Sequence, residues 1–130
     1  MIAVDATVLV RLLIDDAGQL EQIKLARTLA SRIGEVYVPL LVLVECVSVL
    51  ENAYCLERTA IVTALTHLQT NSAFVLQDES IVLKALDLYR AGNAEFADAI
   101  VLAQAQREGL ELHTFDKRLA RLSGVLAVKV

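Results

Sequence analysis

Four carboxylates, Asp5, Glu45, Asp98 and Asp116, stand where side chains can do metal chemistry. Asp5 ends the apolar run Met1-Ile2-Ala3-Val4, and a new apolar pattern begins at once. Glu45 sits inside Leu40 to Leu50, which is apolar nearly all round and has no Lys or Arg nearby. A carboxylate buried there unpaired is costly, so it calls for a basic partner or a cation. Asp98 lies in a helical pattern that opens near Ala94, and Asp116 follows the run Leu110 to Thr114. Two carboxylates about 4 Å apart repel by roughly 4 kcal/mol at an effective dielectric of 20. Four in one pocket would need cations or would take up protons. An all-oxygen set without His or Cys suits Mg²⁺ or Mn²⁺ rather than zinc. Such an ion binds phosphate oxygens, activates water and stabilises the leaving oxygen of a phosphodiester.

Each carboxylate also has a plainer use. Asp5 and Asp116 are good helix N-caps. Asp98 could be an exposed helix position, and Glu95 a first-turn acid favoured by the helix dipole. The cations lean the other way. Arg11 follows Asp5, and Lys117, Arg118 and Arg121 follow Asp116, so four of the twelve basic residues trail these acids. Singly they read as solvated faces, but as a set they fit a phosphate-backbone track.

The elements that must position these groups alternate between short apolar runs and helical patterns. Val8, Leu9, Leu12 and Leu13 recur at helical spacing, and Asp15-Asp16-Ala17-Gly18 breaks them as a turn. Leu20, Ile23, Leu25, Leu29 and Ile33 predict a second amphipathic helix ending at Gly34. Val36 to Val38 reads as a buried strand closed by Pro39, and Leu40 to Leu50 as the most buried helix. A helix over Glu57 to Leu68 turns inward through Ile61, Leu65 and Leu68, before a strand at Ala73 to Leu76. Asp78 or Ser80 can cap a helix that runs to Gly92, and Asn93 one from Ala94 to Glu108. A strand at Leu110 to Thr114, a short basic helix at Lys117 to Leu122 and an edge strand at Val125 to Val130 complete the series. This order predicts one α/β domain over residues 1–130, a three-layer α/β/α sandwich around a short parallel sheet. In such sheets ligands bind outside the carboxyl ends of the strands. Asp5 and Asp116 come from such ends, and Glu45 and Asp98 lie within about two turns of helix starts.

Composition narrows the function classes. The chain has 130 residues, enough for a core without staples. It is 56% hydrophobic with a mean hydropathy of +0.55, a surplus that suits a covered parallel sheet or an apolar partner surface. No membrane span is expected, because Val36 to Val44 is nine residues long and a span needs about 20. Asp5 occupies the place of a signal peptide's basic segment. Cys46 and Cys55 fall in apolar patterns without metal spacing, so we expect reduced core thiols in a cytoplasmic protein. Net charge is −4 and the pI about 5.1, unlike a general nucleic-acid binder. Bound metal would invert that sign locally.

The stretches Val4-Asp5-Ala6-Thr7-Val8-Leu9-Val10, Leu43-Val44-Glu45-Cys46, Phe96-Ala97-Asp98-Ala99-Ile100 and Thr114-Phe115-Asp116-Lys117-Arg118-Leu119 resemble the successive motifs of PIN-domain ribonucleases. In size, and in the absence of appended domains, the chain resembles the VapC-type toxins of toxin–antitoxin pairs. The resemblance spans Ile2 to about Leu122. It implies a Mg²⁺- or Mn²⁺-dependent endoribonuclease in which Asp5, Glu45, Asp98 and Asp116 are the acidic residues, with Asp5 and Asp98 foremost among the metal ligands. It implies support from the Thr114 hydroxyl. Thr7 stands where the family often has Asn or Ser, and it keeps a hydroxyl. Glu95 stands where many members carry an additional acid. Such toxins are typically homodimers, restrained by an antitoxin whose basic tail enters the acidic pocket.

Other classes fit less well. Haloacid-dehalogenase-like phosphatases also place an Asp after strand one, but their motif wants a second Asp where this chain has Thr7. No Gly-x-x-x-x-Gly-Lys occurs, which excludes a P-loop. His67 at a polar helix end and His113 in a strand give little support to nucleophilic catalysis. The remaining rival is a catalytically silent α/β module that binds protein or RNA, its carboxylates serving as caps and contacts.

Overall fold

The computed structural model describes residues 1–129. Its contacts divide the chain into two compact units, Met1–Asp78 and Glu79–Val130. In the first, β1 (Ile2–Ala3) leads into α1 (Ala6–Leu13) and, past a 3-10 turn at Ala17–Gln19, into α2 (Leu20–Ile33). β2 (Val36–Val38) leads into α3 (Leu40–Asn52) and α4 (Arg58–Thr70), and β3 (Phe74–Leu76) ends the unit. The strands form one parallel ladder in the order β1-β2-β3, with Ile2 opposite Val36 and Val38 opposite Leu76. Parallel neighbours require long crossovers, and a helix pair supplies each one. The carboxyl ends of β1 and β2 therefore share an edge, and α1 and α3 start from it.

Helical spacing chose the buried faces of three of these helices. Ala6, Leu9 and Val10 are buried on α1, and Ile61, Leu65 and Leu68 on α4. α3 buries Leu40, Leu43, Cys46, Val47 and Leu50. It is not buried all round, however: Leu41 is 68% exposed, and Glu45 and Ser48 are exposed on the same side. α2 forms as expected but buries only Ile23, leaving Leu20, Leu25, Leu29 and Ile33 exposed. Part of the hydrophobic surplus is thus spent on an open surface. Cys46 is buried as expected, and desolvation pushes its thiol up to about 12. Cys55 is not a core thiol, because it lies exposed in the turn after α3 with φ of 51°.

The second unit comprises α5 (Glu79–Arg90), α6 (Phe96–Arg107), β4 (Leu112–Thr114), a 3-10 turn at Leu119–Arg121 and β5 (Val125–Ala127). β4 and β5 make a separate parallel ladder, with Leu112 opposite Val125 and Thr114 opposite Ala127. Gly92, at φ of 80°, follows the end of α5 in a backbone region that other residues adopt only with strain. Tyr89 and Phe96, both buried, then meet edge to face at 5.6 Å and tie α5 to α6. Asn93 does not cap α6. Glu95 occupies that position, without a side-chain cap bond, and the helix starts at Phe96. The basic helix expected over Lys117 to Leu122 is reduced to the 3-10 turn, and β4 begins two residues later than its apolar run suggested. The strand expected at Val125 to Val130 stops at Ala127, and Val130 lies outside the described residues.

Candidate active site

Asp5 sits at the turn from β1 to α1 with extended backbone, φ −88° and ψ 179°. Its Oδ1 accepts from the Val8 N–H at 3.0 Å, so Asp5 is the N-cap of α1. Its side chain also lines a cavity of about 450 Å³, together with Thr7, Arg11, Gln22, Leu25 and Leu29. Thr7 is exposed, and no hydrogen bond engages its hydroxyl among the described residues. Glu45 belongs to the same strand edge, about one and a half turns into α3. Its exposure overturns the burial argument made for it from sequence. An apolar run predicts a buried helix but not which side is left open, and the charge takes the open side. Arg11 is not a free cation on a solvated face: it is partly buried and donates to Gln22 Oε1 and to the Tyr54 hydroxyl.

The second unit gathers acids more closely. Asp98, in the first turn of α6, shares a cavity of about 150 Å³ with Glu95, Asp116 and Arg118. Asp116 follows β4 and is held by local bonds. Its N–H donates to Thr114 Oγ1 at 2.9 Å, while its Oδ1 accepts from the N–H groups of Arg118 and Leu119 at 2.8 and 3.2 Å. The Thr114 hydroxyl therefore fixes the turn that carries Asp116. Arg118 Nη2 donates to the Gly92 carbonyl at 3.1 Å, which keeps its cation at the rim of the acids. Lys117 and Arg121 are exposed and do not line this cavity.

A PIN-domain family model matches residues 2–125. The chain belongs to the PIN-domain family. No curated protein matches it. PIN domains are generally metal-dependent nucleases, which makes the chain a hydrolase of nucleic acid in its coarse class, with RNA as the implied substrate. The helices and parallel strands described above agree with a PIN-like α/β sandwich. Among the described residues, no helix is long and apolar enough to cross a membrane.

The electrostatics of the PIN chain's second cavity favour a cation. Desolvation by burial, then Asp116, then Glu95, hold the Asp98 carboxyl above the ordinary carboxylate range. A divalent ion would offset all three effects, and the donors are hard oxygens of the kind Mg²⁺ and Mn²⁺ take. Among the described residues, no three or more His, Cys, Asp or Glu side chains stand where they could hold a metal ion between them. Mg²⁺ does not require such a cage. It is usually held by one or two carboxylates, with waters and substrate phosphate completing the shell.

Tyr54 and Gln22 were not legible as site residues. Each reaches Arg11 only through the fold, and no local spacing marks either one.

Proposed function

We propose that this chain is a Mg²⁺- or Mn²⁺-dependent endoribonuclease, the toxin of a toxin–antitoxin pair, working as one domain and as a homodimer. The observation that carries the reading is the Asp98 carboxyl, raised by burial and by Asp116 and Glu95 around one cavity. Asp98 and Asp116 would hold the metal there, and Asp5 and Glu45 would supply the acids of the first unit. A bound ion would neutralise phosphate charge and orient the attacking water. The chain's own groups orient the reaction. The Thr114 hydroxyl and the Arg118 and Leu119 N–H groups fix Asp116 before any ligand arrives. Arg118, at the rim, receives a phosphate oxygen, and Glu95 tunes the charge beside Asp98. Lys117 and Arg121 track the RNA backbone further out. The exposed apolar side of α2 supports a protein partner, here the antitoxin.

The absence of a three-acid cage among the described residues favours a second reading, a silent module that binds RNA or protein. Cleavage separates the two. Purified, partner-free protein should cut single-stranded RNA with Mg²⁺ or Mn²⁺, stop with chelator, and lose activity in Asp98→Asn. RNA left intact under those conditions overturns the nuclease reading and leaves the silent module. Recovery of the chain from cells bound to a small DNA-binding protein that inhibits it would support the toxin role; full activity in the native extract complex would count against it.

A further inference from the structure

Arg11 is held from two sides, with an economy that a solvated surface arginine does not need. Its Nε donates to Gln22 Oε1 on α2 at 2.9 Å, and its Nη1 donates to the Tyr54 hydroxyl at 2.9 Å. That hydroxyl donates onward to Asp16 Oδ2 at 2.7 Å, and Asp16 Oδ1 accepts from the Gly18 N–H at 2.9 Å. The bonds run in one direction, from guanidinium through phenol to carboxylate, so each polarises the next. The bond from Tyr54, before that from Gly18, holds the Asp16 carboxyl below its ordinary value, and the Tyr54 phenol is correspondingly raised by Asp16.

These bonds use Nε and Nη1 and not Nη2. A guanidinium is a planar fork that binds phosphate oxygens best when its plane is already fixed. Arg11 lines the cavity that contains Asp5 and Thr7, and a second cavity of about 330 Å³ with Tyr54 and Asp16. The side-chain entropy that phosphate binding would otherwise remove has already been lost on folding.

We infer that Tyr54 is a positioning residue for RNA binding: with Gln22 it fixes the plane of Arg11, which takes one RNA phosphate beside Asp5. This rests on the nuclease reading above, and it adds the means by which that site holds its substrate. Asp16 anchors the phenol from behind. If the same bonds served only to tie α1 to α2 and to the turn after α3, losing them would change stability and leave RNA binding alone.

The test uses the wild-type chain, Arg11→Ala, Tyr54→Phe and Gln22→Leu. Steady-state cleavage of a single-stranded RNA is measured in Mg²⁺, and anisotropy of a fluorescent single-stranded RNA is followed against salt in chelator. Tyr54→Phe keeps the ring and removes only the hydroxyl; it should raise KM about fivefold, the equivalent of one hydrogen bond, with kcat within about twofold. Arg11→Ala should lower the log–log salt slope of binding by about 0.7, the share of one phosphate contact on a single strand. Gln22→Leu, which removes the acceptor for Arg11 Nε, should raise KM in the same way, again with kcat little changed. If the wild type cleaves RNA and these variants share its KM and salt slope, the inference fails and the nuclease reading stands. If the wild type neither cuts nor binds RNA, the reading itself fails and takes the inference with it.

Discussion

Asp5 has two jobs that a pair of substitutions can separate. Its Oδ1 caps α1 through the Val8 N–H at 3.0 Å, and its carboxylate charge is assigned to metal-dependent cleavage. Asp5→Ala removes both. Loss of an N-cap costs about 1 kcal/mol, and loss of a negative charge at a helix N-terminus about 0.5 kcal/mol more. α1 has only eight residues, so the cap is a large share of what holds its start. For a 130-residue chain the unfolding entropy makes 1 kcal/mol worth about 4 °C, so Asp5→Ala should lower Tm by about 6 °C. Asp5→Asn keeps a side-chain oxygen for Val8 and loses only the charge, and its Tm should fall by about 2 °C. Cleavage should not follow that order. Both variants should lose at least about 100-fold in kcat/KM, because neither keeps the carboxylate charge that the nuclease reading assigns to Asp5. Thermal melts by circular dichroism and RNA cleavage in Mg²⁺ read the two effects separately. An Asn variant that cleaves within twofold of wild type would refute the chemical role. An Asn variant as unstable as Ala would refute the cap as the stabilising contact.

Further outcomes follow from the same geometry. Asp98 has a raised pKa in the folded chain, so its protonated form is favoured by folding. Its contribution to stability is present below the ordinary value of 3.8 and is lost as pH rises through the higher folded value. In chelator, Asp98→Asn should therefore be more stable than wild type near neutral pH, with the difference vanishing below pH 3.8 in denaturant titrations. Asp16 has the opposite sign. Its lowered pKa stabilises above 3.8 and ceases to do so as pH falls through the folded value, so the stability gap between wild type and Tyr54→Phe should narrow in acid. Thiol labelling of the native protein should modify Cys55 rapidly and Cys46 only on unfolding, since Cys46 is buried with its thiol raised to about 12. Two equally fast thiols would contradict that placement.

Much of the architecture follows from short-range rules. The short apolar runs at Ile2–Ala3, Val36–Val38 and Phe74–Leu76 mark strands, of which only Val36 and Val38 are buried, and the 3.6-residue spacing of Ile61, Leu65 and Leu68 fixes both a helix and its inner face. Asp5 was legible as a cap because capping is a bond to an N–H two or three residues on, set by local sequence; Asp116 makes the same local bonds, but in the turn before a 3-10 helix whose N-cap is Arg118. The motif order also sufficed to indicate the family. Sequence alone did not decide which faces are left open. Glu45 looked buried because its neighbours are apolar, yet exposure depends on what packs against a helix, and the side of α3 that carries Leu41, Glu45 and Ser48 is exposed. The exposed leucines of α2 make the same point in reverse, since amphipathic spacing gives an apolar side but not a cover for it. Only the tertiary structure set Asp98 beside Asp116, and only it joined Arg11 to Tyr54 across 43 positions. Caps and periodicity are properties of neighbours along the chain. The fixing of a guanidinium and the raising of a carboxyl are properties of neighbours in space, and folding alone decides which those are.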